Sequence, residues 1–129
     1  MRSAEEKLEF KRKLEKRTAD FAVRVFRFLD GMPVCVSSKV LAFQLGKSAS
    51  SIGANYREAN RSESGDDFKH KVSIALKECS ESLYWVELLA QMYPENADVK
   101  SLAQECEELL RLFQTIRRHV KARDPRSIL

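Results

Sequence analysis

The chain of 129 residues carries a formal net charge of +4, with 33% charged residues, 43% hydrophobic residues, four glycines and three prolines. This length fits one domain with a modest core, and this composition is typical of a soluble, helix-rich protein rather than a loop-rich or all-β domain. No apolar run is long enough to span a membrane and the N-terminus lacks the apolar stretch of a secretory signal, so we expect a cytoplasmic protein with no membrane partner.

Two helices are predicted in the first half of the chain, where apolar residues recur at intervals of three and four. The first helix covers about residues 4–30 and ends at Gly31, which can adopt the left-handed C′ conformation. Its apolar stripe consists of Leu14, Thr18, Phe21, Ala22, Val25, Phe28 and Leu29. The second helix covers about residues 33–59 and begins near Pro33. Its inner face consists of Val40, Leu41, Leu45, Ala49, Ile52 and Tyr56.

A second side of this helix is lined by small residues, namely Ala42, Gly46, Ala49, Ser50 and Gly53. A glycine inside a helix costs about 1 kcal/mol relative to alanine. Two glycines one heptad apart therefore predict the close approach of another backbone, either from the same chain or from another subunit.

The second half of the chain predicts two more helices. The third covers about residues 65–93, from the capping signal Ser64-x-x-Asp67 to the stop at Pro94. Its seam is Val72, Leu76, Cys79, Leu83, Val86, Ala90 and Tyr93. The fourth covers about residues 97–123, ahead of a short basic tail, and its seam is Val99, Leu102, Cys106, Leu109, Phe113, Ile116 and Val120. Four helices with short loops predict one all-α domain over residues 1–129, folded as an antiparallel up-down-up-down four-helix bundle.

Residue patterns typical of catalysis or metal binding are missing from the sequence. There is no glycine-rich phosphate loop, no metalloprotease motif and no nucleophile elbow. His70 and His119 lie on different predicted helices, and the three cysteines, Cys35, Cys79 and Cys106, are well separated. We therefore expect a non-enzymatic protein of a reducing compartment, with no catalytic residue, metal site, cofactor or disulfide framework.

Positive charge is concentrated at the two ends of the chain. Residues 1–27 contain nine lysines and arginines against five acids and residues 111–129 contain six against one, whereas residues 28–110 contain eight against thirteen. If the first and last helices lie side by side, their basic stripes form one surface that attracts a polyanion. The candidates for nucleic-acid contact are Lys13, Lys16, Arg17, Arg24, Arg27, Arg111, Arg117, Arg118, Lys121 and Arg123. The alternative is a solvated face that only keeps the protein soluble.

Three aromatic residues, Phe26, Tyr84 and Trp85, lie outside the strict seams. They can widen the core or form the interface of an oligomer, where aromatic side chains are favoured. Either role leaves few aromatic residues for base stacking, so the sequence favours recognition of a nucleic-acid backbone or shape over sequence-specific base readout.

The segment QLGKSASSIGANYREANRSESGDDF, residues 44–68, resembles the signature of a bacterial family of four-helix bundle proteins related to those encoded within 23S rRNA intervening sequences. The matching residues are Gln44, Leu45, Ser51, Ile52, Asn55, Glu58, Ser64, Phe68, Ile74, Ala75, Leu76 and Glu81. The resemblance covers about residues 20–120, with Ala59 in place of the glycine that is common in the family.

This resemblance implies a homopentameric barrel of antiparallel four-helix bundles. It also indicates a relationship to the accessory protein of diversity-generating retroelements, a basic pentamer that works with a reverse transcriptase and its RNA. The expected partners are therefore further copies of the chain, RNA or DNA, and a protein such as a reverse transcriptase. The leading hypothesis is a non-enzymatic oligomer that binds nucleic acid, and the alternative is a protein–protein scaffold.

A polar motif within the same segment comprises Ser51, Asn55, Arg57, Glu58 and Ser64, with Glu81 one helix away. Ser51, Asn55 and Glu58 share one helix face near the turn into the third helix, whose first N–H groups need partners. We expect Asn55 and Glu58 to satisfy those groups or to pair with arginines across the hairpin, with Glu81 as a further member. A structural network is favoured here over a ligand site.

Overall fold

The computed structural model describes residues 2–123, with side chains described through residue 120. Four α-helices contain nearly all of these residues: α1 (Ala4–Asp30), α2 (Val36–Asn60), α3 (Gly65–Met92) and α4 (Ala97–Arg123). No strand occurs between residues 2 and 123, so the prediction of an all-helical protein with four helices is confirmed. None of the four helices contains an apolar stretch that could span a membrane.

Helix α1 starts at a reciprocal pair of hydrogen bonds and ends in a tight turn. The Ser3 hydroxyl accepts from the Glu6 N–H (3.1 Å), and the Glu6 carboxylate accepts from the Ser3 N–H (3.1 Å). Gly31 follows the helix at φ −85°, so the left-handed conformation predicted for it is wrong. Its N–H instead donates to the Phe28 carbonyl (3.1 Å), which closes the last turn without a positive φ.

The start of α2 differs from the prediction by three residues. Pro33 precedes the helix, which begins at Val36. The Ser38 hydroxyl accepts from the Cys35 N–H (2.8 Å), and this bond at the end of an extended segment fixes the later start. Gly31 to Cys35 therefore form the turn between α1 and α2.

Polar side chains also begin the last two helices. The Ser64 hydroxyl accepts from the Asp67 N–H (3.1 Å), which confirms the capping signal predicted for α3. The Asn96 side chain accepts from the Val99 N–H (3.1 Å) at the start of α4, a cap that the sequence pattern did not single out. Each cap satisfies one of the N–H groups that the first turn of a helix leaves without a partner.

The four helices pack as antiparallel neighbours. Each helix contacts the next one, α1 also contacts α4, and the α1–α4 contact is the least extensive of the four. Thr18 of α1 lies against Gly53 of α2, whereas Phe26, two turns later in α1, lies against Gly46, two turns earlier in α2. The resulting arrangement is a four-helix bundle with its core between all four helices.

The buried residues of α1 and α4 follow the predicted seams closely. They are Leu14, Thr18, Phe21, Val25, Leu29, Val99, Leu102, Cys106, Leu109 and Phe113. Phe28 and Ile116, at the ends of the predicted seams, are only partly buried against this core.

The buried row of α3 is rotated relative to the predicted seam. It consists of Val72, Ala75, Cys79, Ser82, Val86 and Leu89. The predicted members Leu76, Leu83, Ala90 and Tyr93 are half-buried. Small residues at 75 and 82 let α2 approach this side of α3. At the contact, the buried Ser82 hydroxyl donates to the buried Ser48 hydroxyl (2.8 Å), so each hydroxyl has a partner.

Helix α2 presents apolar side chains to solvent, contrary to the prediction for Val40. Val40 is 47% exposed and lies on the outward side of α2 with Val36 and Phe43, which are 83% and 65% exposed. The inner side is filled instead by residues that include Leu41 and Leu45. We call Val36, Val40 and Phe43 the α2 apolar patch.

The three aromatic residues outside the seams have different environments. Phe26 and Tyr84 are 45% and 54% exposed, so neither belongs to the buried core. Trp85 is half-buried against the core and meets the Tyr84 ring edge to face, with ring centroids 5.0 Å apart. Trp85 thus widens the core, whereas Phe26 and Tyr84 remain available for an interface.

The two glycines of α2 face α1 of the same chain. A Cβ atom at Gly53 would lie 2.9 Å from Thr18 Oγ1 and 3.2 Å from Thr18 Cβ. Thr18 is fully buried and its hydroxyl donates to the Glu15 carbonyl (2.9 Å), so its side chain has no room to move. A Cβ atom at Gly46 would lie 3.1 Å from the Phe26 ring and 3.9 Å from Leu29 Cδ1, and the second distance is an ordinary van der Waals contact. The predicted close approach therefore occurs within one subunit, and it is tight at Gly53.

We expect Gly53→Ala to destabilise the protein and Gly46→Ala not to. Alanine in place of glycine stabilises the interior of a helix by about 1 kcal/mol. Crowding a packed contact, by contrast, destabilises the protein by about 1–3 kcal/mol. At Gly53 the crowding outweighs the helix preference, for a net loss of up to about 2 kcal/mol in the free energy of unfolding. At Gly46 the exposed Phe26 ring can shift, so the change should lie between zero and a gain of about 1 kcal/mol. Urea unfolding measures both variants, and equal effects would contradict the tight contact with Thr18.

Candidate nucleic-acid interface

Basic residues of α1 and α4 lie on one side of the bundle, which we call the α1–α4 face. The side chains of Arg17 and Arg24 in α1 reach Glu105 and Ser101 in α4. Residues three or four positions from these arginines lie on the same side of α1. The face contains Lys13, Arg17, Arg24 and Arg27 from α1 and Arg111 and Arg118 from α4. The two stripes are therefore neighbours, as the antiparallel contact between α1 and α4 requires.

Arg17 is held by carboxylates of α4 rather than free for phosphate. Its Nε donates to Glu105 (2.8 Å), and its Nη2 donates to Glu105 (2.6 Å) and to Glu108 (2.9 Å). The Glu105 side chain is only 17% exposed. These bonds raise the pKa of Arg17 above its ordinary value, with the hydrogen bond to Glu105 as the largest cause. Three hydrogen bonds of Arg17 thus serve a bridge between two helices, which disfavours the predicted phosphate contact, and that contact stays a prediction.

Lys13 and Lys16 have acidic neighbours on α1 itself. Lys13 lies 3.8 Å from Glu9, and Lys16 donates to Asp20 at 2.8 Å. All four side chains are more than half exposed. Such surface pairs contribute about 0–1 kcal/mol, so both lysines can exchange these partners for phosphate.

The other arginines of the α1–α4 face have no carboxylate within 4 Å among the described residues. Arg24 donates to the Ser101 hydroxyl (2.6 Å), and Arg118 donates to the Thr115 hydroxyl (3.3 Å). Arg27 and Arg111 are exposed. Their guanidinium groups keep donors for an external anion.

Of the remaining predicted basic residues, one lies off the stripe and two have side chains that the structure does not describe. Arg117 is exposed but next in sequence to Arg118, about 100° around α4, so it points away from the stripe. The side chains of Lys121 and Arg123 lie outside the described residues.

The prediction from residues that share one helix face did not include further basic residues near the start of α1. Lys7, Lys11 and Arg12 are exposed. Because Arg17 pairs with Glu105 and Glu108 in an antiparallel contact, this part of α1 lies level with the part of α4 that contains Arg111 and Arg118. The run Lys11-Arg12-Lys13 was the available signal, but its members do not share one helix face.

The polar motif of α2 does not cap α3, contrary to expectation. Asn55 donates to the Ser51 carbonyl of its own helix (2.9 Å), and the Ser51 hydroxyl donates to the Lys47 carbonyl (2.8 Å). Ser64 itself supplies the cap of α3. Carbonyl groups inside a helix can accept a second hydrogen bond, and the short side chains of Ser51 and Asn55 donate to such carbonyls of their own helix.

The charged members of the motif form separate pairs. Glu58 accepts from Lys71 of α3 (3.4 Å), so it does pair across the hairpin, but with a lysine. Arg57 lies 3.8 Å from Glu15 of α1. Glu81 makes no described hydrogen bond with these residues, and its charge raises the pKa of Glu78, after the larger effect of burial. The motif thus forms separate contacts within α2, to α3 and to α1, and not one network.

No group of histidine, cysteine, aspartate or glutamate side chains within residues 2–120 could hold a metal ion. His70 and His119 are exposed on different helices. Cys79 and Cys106 are buried, and burial raises the pKa of both thiols. The Cys106 thiol donates to the Cys79 carbonyl (3.4 Å), as a small buried hydrophobe with a weak donor does. The charged α1–α4 face is therefore the best-defined candidate for function.

We expect Arg17→Met to lower the free energy of unfolding by about 1–2 kcal/mol at pH 7, because it leaves Glu105 without a charged donor. Lys13→Met is the matched control on the same side of α1, and it should change the value by less than about 0.5 kcal/mol. Chemical unfolding compares the two. Equal losses would show that Arg17 adds no more than a surface pair does.

The contribution of Arg17 should also depend on pH. Hydrogen bonds from Arg17 and then from Gln104 lower the pKa of Glu108 from its ordinary value of 4.5. A carboxyl group with a lowered folded-state pKa stabilises the fold above the unfolded-state pKa and loses that effect as the pH falls through the folded-state pKa. The difference in melting temperature between wild type and Arg17→Met should be constant above about pH 5.5 and shrink below about pH 4.5. A difference unchanged down to about pH 3 would contradict this assignment.

Comparison with known proteins places this fold in a family. The sequence profile of the 23S rRNA-intervening sequence protein family matches residues 11–115, which reach from α1 into α4. A crystal structure of a protein of unknown function from the S23 ribosomal protein family of Bacteroides thetaiotaomicron VPI-5482 is 33% identical, with a TM-score of 0.69, covering 80% of this chain and 96% of its own. Neither description names an enzymatic activity, and a comparison with curated proteins gave no match. The resemblance seen in residues 44–68 is thus confirmed, and the chain belongs to the 23S rRNA-intervening sequence protein family.

Proposed function

We propose that the protein is a non-enzymatic oligomer that binds RNA through the α1–α4 face. The observation that carries this proposal is the exposed position of Arg27, Arg111 and Arg118 on one side of the bundle, without a carboxylate within 4 Å among the described residues. Guanidinium groups bind phosphate through two parallel hydrogen bonds and release counterions from a nucleic acid. The face therefore has the chemistry of a phosphate-binding surface.

RNA is favoured over DNA as the nucleic acid. The matching family is named for an intervening sequence of 23S rRNA, and the similar crystal structure comes from a family named for a ribosomal protein. The exposed arginines lie along two rod-shaped helices, which suits contact with a backbone rather than with base edges. We also propose a reverse transcriptase as the protein partner, which is what the sequence resemblance to the accessory protein of diversity-generating retroelements implies.

Charge reversal at Arg111 and Arg118 tests the RNA proposal. We expect the double variant Arg111→Glu, Arg118→Glu to bind a 12-nucleotide single-stranded RNA at least about 30-fold more weakly at 50 mM salt, because two phosphate contacts become repulsive. The dependence of log K on log salt should become shallower by about 1.4, at about 0.7 per lost contact with a single strand. Fluorescence anisotropy over a salt series measures both quantities.

The control carries the same change of net charge on another part of the bundle. Lys39 and Lys77 are exposed on α2 and α3, so the double variant Lys39→Glu, Lys77→Glu changes the charge equally without altering the α1–α4 face. We expect it to lose less than about threefold in affinity. Equal losses in both variants would mean that overall charge drives binding, and no binding by wild type would refute the proposal.

A protein–protein scaffold is the second candidate, and the α2 apolar patch favours it. Val36, Val40 and Phe43 expose apolar surface that a monomer would leave in water, and Phe26 of α1 lies against Gly46 one turn after Phe43. Contiguous apolar surface of this kind is typical of an interface. We propose that further copies of the chain cover it, and the family resemblance makes a pentamer the assembly to expect.

Substitution in the patch tests the assembly. Phe43→Glu should lower the mass measured by light scattering from that of an oligomer to that of a monomer, because it places a charge in an apolar interface. Leu8→Glu is the matched control, at an apolar residue that is 48% exposed near the other end of the bundle, and it should leave the mass unchanged. A wild-type monomer, or a Phe43→Glu oligomer, would contradict the role of the patch.

A further inference from the structure

A cleft opens between α1 and α4 at the end of the bundle away from Arg118. It has a volume of about 250 Å³ and is lined by Arg24, Arg27, Phe28, Asp98 and Leu102. Small-molecule pockets generally have volumes of about 300–1,000 Å³. The cleft lies just below this range, so it can take a group no larger than one nucleotide and is too small for a helix or a duplex.

The two arginines of the cleft keep donors for a ligand. Arg24 donates to the neutral Ser101 hydroxyl (2.6 Å), and neither Arg24 nor Arg27 has a carboxylate within 4 Å among the described residues, Asp98 included. Arg17, two turns earlier on the same side of α1, is by contrast bridged to two carboxylates. The cleft thus has a net charge of +1 and two guanidinium groups one turn apart, an arrangement that favours a phosphate.

The floor of the cleft is apolar. Leu102 is 2% exposed, and Phe28 is half-buried. The Tyr93 ring meets the Phe28 ring edge to face, at a centroid distance of 6.4 Å and an angle of 77°, which holds the Phe28 ring in place. A planar, partly apolar group can pack against such a floor while its charged end remains at the arginines.

We propose that this cleft binds one unpaired nucleotide of the RNA, an inference that rests on the function proposed above. The phosphate contacts Arg24 and Arg27, and the base packs over Phe28 and Leu102. Asp98, the one carboxylate of the lining, accepts a hydrogen bond from a ribose hydroxyl. Unstacked bases of single-stranded RNA are recognised in this way, by aromatic side chains together with arginine.

The position of the cleft fits a continuous path for the RNA strand. Arg27 and Lys13 lie on the same side of α1, separated by 14 residues in sequence, or about 21 Å along the helix at 1.5 Å per residue. Between them Arg17 is bridged to both Glu105 and Glu108, so this middle part has a net charge of −1 and offers no phosphate contact, and the strand is held on either side of it. A single strand can therefore contact the basic residues near Arg111 and place one base in the cleft.

Two probes of equal length and charge test the inference by fluorescence anisotropy. One is a 12-nucleotide single-stranded RNA, and the other is a 12-unit ribose-phosphate oligomer without bases. We expect wild type to prefer the base-bearing probe by about tenfold or more, as one stacked base provides. The double variant Arg24→Gln, Arg27→Gln and the variant Phe28→Leu should both lose this preference, while Arg111→Glu, Arg118→Glu should weaken both probes and keep it.

The outcomes separate this inference from the proposed function. If wild type binds both probes equally, or if the Arg24→Gln, Arg27→Gln variant keeps the preference, the cleft does not bind a nucleotide although the protein still binds RNA. If wild type binds neither probe, both proposals are overturned. Thermal melts of the variants accompany the binding data. If Phe28→Leu unfolds, the Arg24→Gln, Arg27→Gln variant still tests the inference, because both arginines lie at the surface.

Discussion

The contact between Thr18 and Gly53 fixes the position of α1 on the rest of the bundle. Thr18 fits against α2 only where no Cβ is present, which sets both the rotation and the height of α1. The preceding residue, Arg17, then points about 100° away, toward α4. Its bridges to Glu105 and Glu108 form only at this rotation. One close packing contact on one side of α1 thus determines the charge pairing on the other.

The helices are joined by two kinds of contact. The α2–α3 contact is extensive, with small and apolar residues and one buried pair of hydroxyls between Ser48 and Ser82. The α1–α4 contact is the least extensive, and long polar side chains bridge it. Long side chains hold helices farther apart than small ones do, which leaves room for a cleft. The polar α1–α4 contact and the candidate binding surface therefore both result from the wider spacing between α1 and α4.

Most of the fold could be predicted from the sequence, because apolar residues spaced strictly three and four positions apart show which side of a helix is buried. The predictions failed where two apolar residues were adjacent. At Val40 and Leu41, and at Ala75 and Leu76, the pattern allows either residue to face inward, and the choice depends on how closely the neighbouring helix approaches. Helix starts were predictable at Ser64, where a hydroxyl caps the next turn, and less so near Pro33, where an extended segment intervenes.

The candidate site was predictable only in part, since a sequence shows which residues are basic but not which are already paired. Arg17 and Arg24 are equivalent members of one stripe, yet Arg17 meets Glu105 and Glu108 whereas Arg24 meets a serine.

Among the cysteines, Cys35 differs from its two buried counterparts. Its exposed thiol, in the turn between α1 and α2, has its pKa lowered to about 7 by the hydroxyls of Ser37 and Ser38. The native chain thus offers a single reactive position for a maleimide dye, at the end of the bundle opposite Arg118, from which energy transfer to labelled RNA could be followed without substituting any residue.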